Sequence, residues 1–357
     1  MTSFTFVDEP DTITPELHTH RFLGIDTEFI REKTFFAYLC LLQIATADRI
    51  YCVDPLAGSP MQSFWDKAFE KTWIVHSARQ DIEVIFQTAG AMPTRLFDTQ
   101  IAAALLGMQP QIGYAGLVKE LFGVDIPKSH TRADWSQRPL PEALLHYAVE
   151  DVEYLLPAYE LLGERLENAG RKEWAEQDSQ LLLDESLYDV DASQAVQRLK
   201  GARNLRGRRR SAAERLAVWR EAEAASRNRP RQWILRDSAL LEIALELPES
   251  RAALQRIEGL PGKLVDRAGE KLLAIVAQSA DDNHSYQPPA APNEGQKKLL
   301  KRMQTDVANC ARELGISPEL VAPRKELSAA ILTGKADTRV FRGWRRELIG
   351  EQLLRLL

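Results

Sequence analysis

Residues 22–29 read FLGIDTEF. Phe22, Leu23 and Ile25 with Gly24 form an apolar run of strand length, and the strand ends on two acids spaced two apart. Side chains alternate along a strand, so Asp26 and Glu28 project from the same face. Two carboxylates held together disfavour joint ionisation unless a cation neutralises them. A hard divalent ion with oxygen ligands does this. The competing reading is a solvated strand end, where acids are common.

Outward from this stretch, residues 38–46 and 49–53 are apolar runs of strand length, and 61–71 read as a helix. Residues 73–76 form a short buried strand, with a helix from Ala78. From Thr99 the pattern is helical over 99–108 and 114–122. A polar loop, 123–139, precedes a long helix from Pro141 that Pro157 breaks or kinks. Strands first and helices after, with a strand–helix–strand unit between, predict a mixed α/β sheet flanked by helices.

Three further acids lie along this pattern. In WIVHSARQDIEVI (73–85), Asp81 falls in the first turn of a helix, where alone it is a charge favoured by the helix dipole. His76 reads as a core or rim residue, not a ligand. In HYAVEDVEYLLP (146–157), Tyr147 and Asp151 are four apart and share a helix face, whereas Glu150 and Glu153 point to solvent. Asp98, in FDTQ, reads as an N-cap.

An Asp-x-Glu on a first strand, an Asp after a later strand and a Tyr-x-x-x-Asp on a late helix, in that order, resemble the tyrosine-containing branch of the DEDD exonuclease superfamily. LFDTQIAAALLG (96–107) and KSHTRADWSQRPL (128–140) extend the likeness to the ribonuclease D family, over residues 20–170. The resemblance implies a ribonuclease H-like α/β catalytic domain with a five-stranded mixed sheet and helices on both faces. It implies that Asp26, Glu28, Asp81 and Asp151 hold two Mg²⁺ or Mn²⁺ ions, that Asp26 bridges them, and that Asp81 acts partly through water. Tyr147 would orient or help deprotonate the attacking water, and its ordinary pKa of about 10 favours orientation. Some relatives in the superfamily, polymerase proofreading domains among them, carry Asn four residues before the Asp81 equivalent; here Ser77 stands there.

The net charge of −5 conceals an asymmetry: residues 1–195 hold 15 Lys and Arg against 31 Asp and Glu, and the remainder 31 against 20. A basic half fits a polyanionic partner. Residues 200–236 carry twelve Lys and Arg, including Arg208, Arg209 and Arg210, beside Trp219 and Trp233. Phosphate contact suits the arginines, and burial in a core suits the two tryptophans. RNRPRQWILRDSALLEIALELPES (227–250) with LQRIEGLP (254–261) resembles the HRDC module, a helical bundle that binds or positions nucleic acid. LVAPRKEL and FRGWRRELIG in the last segment resemble a diverged second copy. The expected organisation is a 1–190 exonuclease domain, a 200–282 HRDC domain and a 290–357 HRDC-like domain, both all-α bundles.

The expected activity is 3′→5′ hydrolysis of RNA, on tRNA precursors and the 3′ ends of small structured RNAs. Thr131, Arg132, Trp135 and Arg138 would border the RNA entrance, with Trp135 read equally as an anchor pinning the loop. A DNA 3′→5′ exonuclease and a non-catalytic RNA-binding scaffold are the alternatives. The same carboxylates serve either polymer, and a scaffold would be expected to lack a motif acid. No phosphate loop is present, which excludes a helicase. Three scattered cysteines, no long apolar run and an acidic, polar N-terminus point to a reduced, cytoplasmic protein without membrane spans, expected to be a monomer.

Overall fold

A computed structural model describes residues 3–127, 133–189, 192–280 and 292–357. Its centre is a mixed sheet of β1 (Phe4–Val7), β2 (Phe22–Ile30), β3 (Tyr38–Ala45), β4 (Ile50–Val53), β5 (Thr72–Val75) and β6 (Arg95–Asp98). The order is β1-β4-β3-β2-β5-β6. β2, β3 and β4 form an antiparallel meander, and β5, β6 and β1 join in parallel. The sheet therefore has six strands rather than the expected five. β1 is a four-residue edge strand in which only Val7 is buried, so its sequence carries no clear period.

Strands β3 and β4 are buried along nearly their whole length, and apolar but for Gln43, because helices cover both faces. Between β4 and β5 lies α1 (Gln62–Ala68), and α2 (Arg79–Ala89) makes the crossover from β5 to β6. After β6 come α3 (Thr99–Leu105) and α4 (Tyr114–Phe122), then α5 (Glu142–Glu153), α6 (Leu155–Asn168) and α7 (Lys172–Gln180). Helix α5 packs across β2, β3 and β4, and α6 packs on β2 and β5. The break between α5 and α6 is at Tyr154, not at Pro157. Pro157 has no N–H for the carbonyl of Glu153, and its ring crowds that carbonyl, so the interruption falls upstream. At Gly24, an added Cβ would lie 3.1 Å from Cβ of both Ala45 and Leu155. A glycine there lets α6 approach the strand that carries the acids.

The chain divides into two compact units, one of Met1–Ile30, Tyr38–Tyr188 and Ala291–Leu357, the other of Arg31–Ala37 and Asp189–Ala290. This grouping differs from three consecutive segments. In the first unit the C-terminal helices α11 (Glu294–Leu314) and α12 (Arg324–Thr333), with the turns that follow, share contacts with the exonuclease fold. Trp344 stacks on Trp174 of α7, with ring centroids 4.4 Å apart and planes 7° apart. Arg345, 2% exposed, binds both oxygens of Asp178 at 2.6 Å.

The second unit is helical, built on α8 (Gly207–Ser226), α9 (Asp237–Glu246) and α10 (Gly262–Gln278) around Leu216, Leu240, Ile243 and Leu272. Phe35 joins that core, and Asn228 Oδ1 accepts from the backbone N–H groups of Phe35 and Phe36 at 3.0 Å each. No helix among the described residues is long and apolar enough to cross a membrane.

Candidate active site

The two acids of β2 meet the C-terminal half of α5. Carboxylate oxygens of Asp26, Glu28 and Asp151 lie within 4.8 Å of one another. The pleat puts Asp26 and Glu28 on the face that α5 covers, and the helix period puts Asp151 one turn beyond Tyr147. The Tyr147 hydroxyl hydrogen-bonds the Asp151 carboxylate. Among the described residues none of these three acids has an ion pair with a basic side chain.

Asp81, buried in the first turn of α2, stands outside that triplet. Thr27, on the opposite face of β2, donates its hydroxyl to Asp81 Oδ1 at 2.6 Å. Asp98 caps α3 as expected, accepting from the N–H groups of Gln100 and Ile101. It has a second role that the sequence did not disclose. Its oxygens also accept from the N–H groups of Ser77 and Ala78 at 3.0 and 2.9 Å. Ser77 has φ +61°, a left-handed conformation costly for serine. One buried carboxylate thus holds the sharp turn that leads into α2 and Asp81. His76 spends both ring nitrogens, one against Thr99 Oγ1 and one on the Ile112 carbonyl, each at 2.9 Å. Burial lowers its pKa, and it is not among the clustered ligands.

Electrostatics mark the cluster as short of positive charge. Burial raises Asp26 well above the ordinary carboxylate range, with Asp81, Asp151 and Glu28 adding repulsion. Burial and the charges of Asp151 and Asp81 push Glu28 up to about 9. Burial also lifts Asp81 and Asp151 to about 7, against the hydrogen bonds from Thr27 and Tyr147. Convergent hard oxygen donors, with no counter-charge among the described residues, fit a divalent cation of the magnesium or manganese type. The Tyr147 hydroxyl is raised above its ordinary value by burial and by the same acids.

The remaining sequence candidates are distributed differently. Thr131 and Arg132 lie outside the described residues. Trp135 is buried, its ring centroid 6.2 Å from that of Tyr147, which is the anchor reading. Arg138 binds both oxygens of Asp54, at 2.7 and 2.6 Å, and the Cys40 carbonyl at 2.7 Å. Its guanidinium is committed to the fold, contrary to a role at an RNA entrance. In the helical unit Arg209 is exposed and Arg208 half-buried. Arg210 is 4% exposed and bound to Glu214 and the Ala202 carbonyl, so it is a structural arginine rather than a phosphate contact. Trp219 is buried as expected, but Trp233 is 57% exposed.

Sequence reasoning passed over Gln43, which lies opposite Asp26 in the β2–β3 register and is fully buried. Its signal was available: one amide in the otherwise apolar strand YLCLLQIA.

A six-stranded mixed sheet presenting clustered carboxylates beside a helix-borne tyrosine defines a nuclease of the 3′–5′ exonuclease class. A 3′-5′ exonuclease family profile matches residues 2–167, and an HRDC domain profile matches residues 196–276. Ribonuclease D of Gluconacetobacter diazotrophicus is 36% identical, over 99% of this chain and 91% of that protein. Ribonuclease D of Pseudomonas paraeruginosa is 35% identical, over 96% and 93%. The crystal structure of Escherichia coli RNase D, an exoribonuclease involved in structured RNA processing, superposes with a TM-score of 0.88 at 28% identity, over 100% and 99% of the two chains. The chain belongs to the ribonuclease D family of 3′→5′ exoribonucleases.

Proposed function

We propose that this protein removes nucleotides from the 3′ ends of structured RNAs, tRNA precursors among them, with Asp26, Glu28 and Asp151 as metal ligands. Asp81, held by Thr27, completes the set. The observation that carries the reading is the convergence of three carboxylates within 4.8 Å, none of them ion-paired to a basic side chain among the described residues. Two Mg²⁺ or Mn²⁺ ions, when bound, would neutralise these acids and stabilise the attacking and leaving oxygens of an in-line phosphoryl displacement.

The chain's own residues do the rest. Tyr147 keeps its proton at neutral pH, because burial and the neighbouring acids raise its pKa. Its hydroxyl donates to Asp151, leaving oxygen lone pairs to accept a hydrogen bond from the attacking water and orient it. Positioning, rather than full proton abstraction, is therefore its contribution. Water adds to phosphorus and gives up a proton to solvent, and the bond from phosphorus to the 3′ oxygen of the penultimate nucleotide breaks. That oxygen takes up a proton to become the new 3′ hydroxyl, and a nucleoside 5′-monophosphate leaves.

The helical regions would dock the body of the substrate. In the HRDC region the helices run 20, 4 and 10 residues over Gly207–Ser226, Arg231–Ile234 and Asp237–Glu246. The C-terminal segment runs 21, 4 and 10 over Glu294–Leu314, Pro318–Val321 and Arg324–Thr333. This parallel supports a diverged second HRDC copy.

The test is cleavage of a labelled, structured RNA and of the DNA of matching sequence, with and without EDTA. RNA shortened one nucleotide at a time from its 3′ end, only with metal, is the expected result. Asp26→Asn should lower the rate by about 10³-fold or more, the scale of the several kcal/mol such metal chemistry supplies, with RNA affinity kept. Equal trimming of DNA would make this a general exonuclease, and undiminished cleavage in EDTA would remove the mechanism.

A further inference from the structure

The β3 sequence YLCLLQIA is apolar but for one amide, Gln43. Its side chain is 0% exposed, and among the described residues neither Nε2 nor Oε1 has a hydrogen-bond partner. An amide buried without partners destabilises a fold, and an apolar residue of similar shape would serve the sheet better. Such a group in the middle of a core strand calls for a reason.

Its neighbours supply one. Gln43 pairs in register with Asp26 on β2 and with Cys52 on β4. Residues directly opposite one another share a face of the sheet and bring their Cβ atoms to roughly 4.5–5.5 Å. Gln43 therefore lies on the face from which Asp26 projects, beneath α5, the helix that carries Tyr147 and Asp151 and packs on all three strands. On its other side the Cys52 thiol is buried and neutral, with its pKa pushed up to about 12, and is a weak partner. The nearest strong acceptor by register is the Asp26 carboxylate.

We propose that Gln43 is a positioning residue for Asp26, its amide N–H donating to the Asp26 carboxylate once that group is ionised around a divalent cation. The proposal asks only for rotation about the side chain's own χ angles, with both strands left in register. The hydrogen bond fixes which way the Asp26 oxygens face, as groups behind metal ligands commonly do. The uncompensated amide in the core is what this arrangement costs the protein when the cation is absent. The inference rests on the reading of Asp26 as a metal ligand.

Gln43→Leu in the full-length chain separates the possibilities. It should raise the Kd for Mn²⁺, measured by calorimetry or electron paramagnetic resonance, by about 10–100-fold. It should lower kcat while leaving KM for a short RNA unchanged. In EDTA its melting temperature should equal or exceed that of the wild type, because an unsatisfied amide has gone. A lower melting temperature with unchanged Mn²⁺ affinity would make Gln43 a packing residue and overturn the proposal. Gln43→Met, which keeps an unbranched chain, serves the same comparison if the leucine variant does not fold. Asp26→Asn runs alongside. If it too binds Mn²⁺ normally, the metal-ligand reading fails first; if it loses Mn²⁺ and the Gln43 variants do not, only this proposal fails.

Discussion

The acidic site and the basic helical unit both concentrate like charge, yet they resolve it in opposite ways. In the site, Asp26, Glu28 and Asp151 converge, and among the described residues none is ion-paired to a basic side chain. In the helical unit the arginines are largely spoken for. Buried Glu221 takes Arg231 and Arg198, at 2.6 and 2.9 Å; burial alone would raise its pKa, but the two guanidiniums hold it below the ordinary value. Arg220 binds Asp237 and the Leu235 carbonyl, and Arg210 binds Glu214. Charge density in a sequence therefore overstates the charge available to a ligand. What indicates a ligand is charge that the fold gathers and leaves uncompensated.

The widest divergence between the regions should appear in metal-free protein as pH changes. Burial raises all four site acids, Glu28 to about 9 and Asp81 and Asp151 to about 7. A carboxyl with a higher pKa folded than unfolded binds its proton more tightly in the native state. Its stabilisation is complete below the unfolded value of about 4 and is lost as pH rises through the folded one. In EDTA the melting temperature of the exonuclease unit should fall between about pH 4 and 9, and saturating Mg²⁺ should restore most of it. Identical profiles with and without Mg²⁺ would mean that the protein neutralises its own carboxylates.

Within the site, Tyr147→Phe removes the orienting oxygen but not the ring that packs near Trp135. Turnover should drop on the order of 10²-fold with RNA affinity nearly constant. A wild-type rate would reduce the tyrosine to packing.

The helical unit offers smaller effects. Trp233 stands exposed between Arg229 and Arg236 in sequence, both exposed and without an ion pair among the described residues. Trp233→Ala should weaken binding of single-stranded RNA by about 1–3 kcal/mol if a base stacks there, measured by fluorescence anisotropy. No change would leave it a bystander.

The smallest contrast lies between adjacent arginines. Arg209→Ala should leave stability intact and reduce the salt dependence of RNA binding by about one phosphate contact. Arg210→Ala should leave that dependence alone and cost about 1–3 kcal/mol of stability, as expected for a broken buried hydrogen bond. Reversal of the two outcomes would upset the distinction between paired and available charge.

What the sequence disclosed followed from period and motif. The acids of β2 were legible because an apolar strand ending in Asp-x-Glu shows both its element and its face, and Tyr147 and Asp151 because their spacing matches a helical turn. β1 and β6 are no shorter than β4 and β5, but they lack an apolar run: β1 buries only Val7, and β6 sets Leu96 and Phe97 between Arg95 and Asp98. Pairings between distant residues were out of reach as well. Arg138 with Asp54, Arg345 with Asp178, and Asp98 with the Ser77 turn each join segments well separated in the chain. The grouping of Arg31–Ala37 with the helical unit is equally non-local, resting on Asn228 and the Phe35 ring.

The Trp174–Trp344 stack has an optical consequence. Two indoles with nearly parallel planes 4.4 Å apart are close enough for their electronic transitions to couple. Where their in-plane transition dipoles are skewed, the pair contributes bands of opposite sign to the ultraviolet circular dichroism, beside the contributions of the chain's other five tryptophans. Loosening of the C-terminal helices from α7 would extinguish that signature while the backbone signal persisted. The molecule thus carries its own unlabelled chromophore pair, reporting in real time whether its last segment is in place.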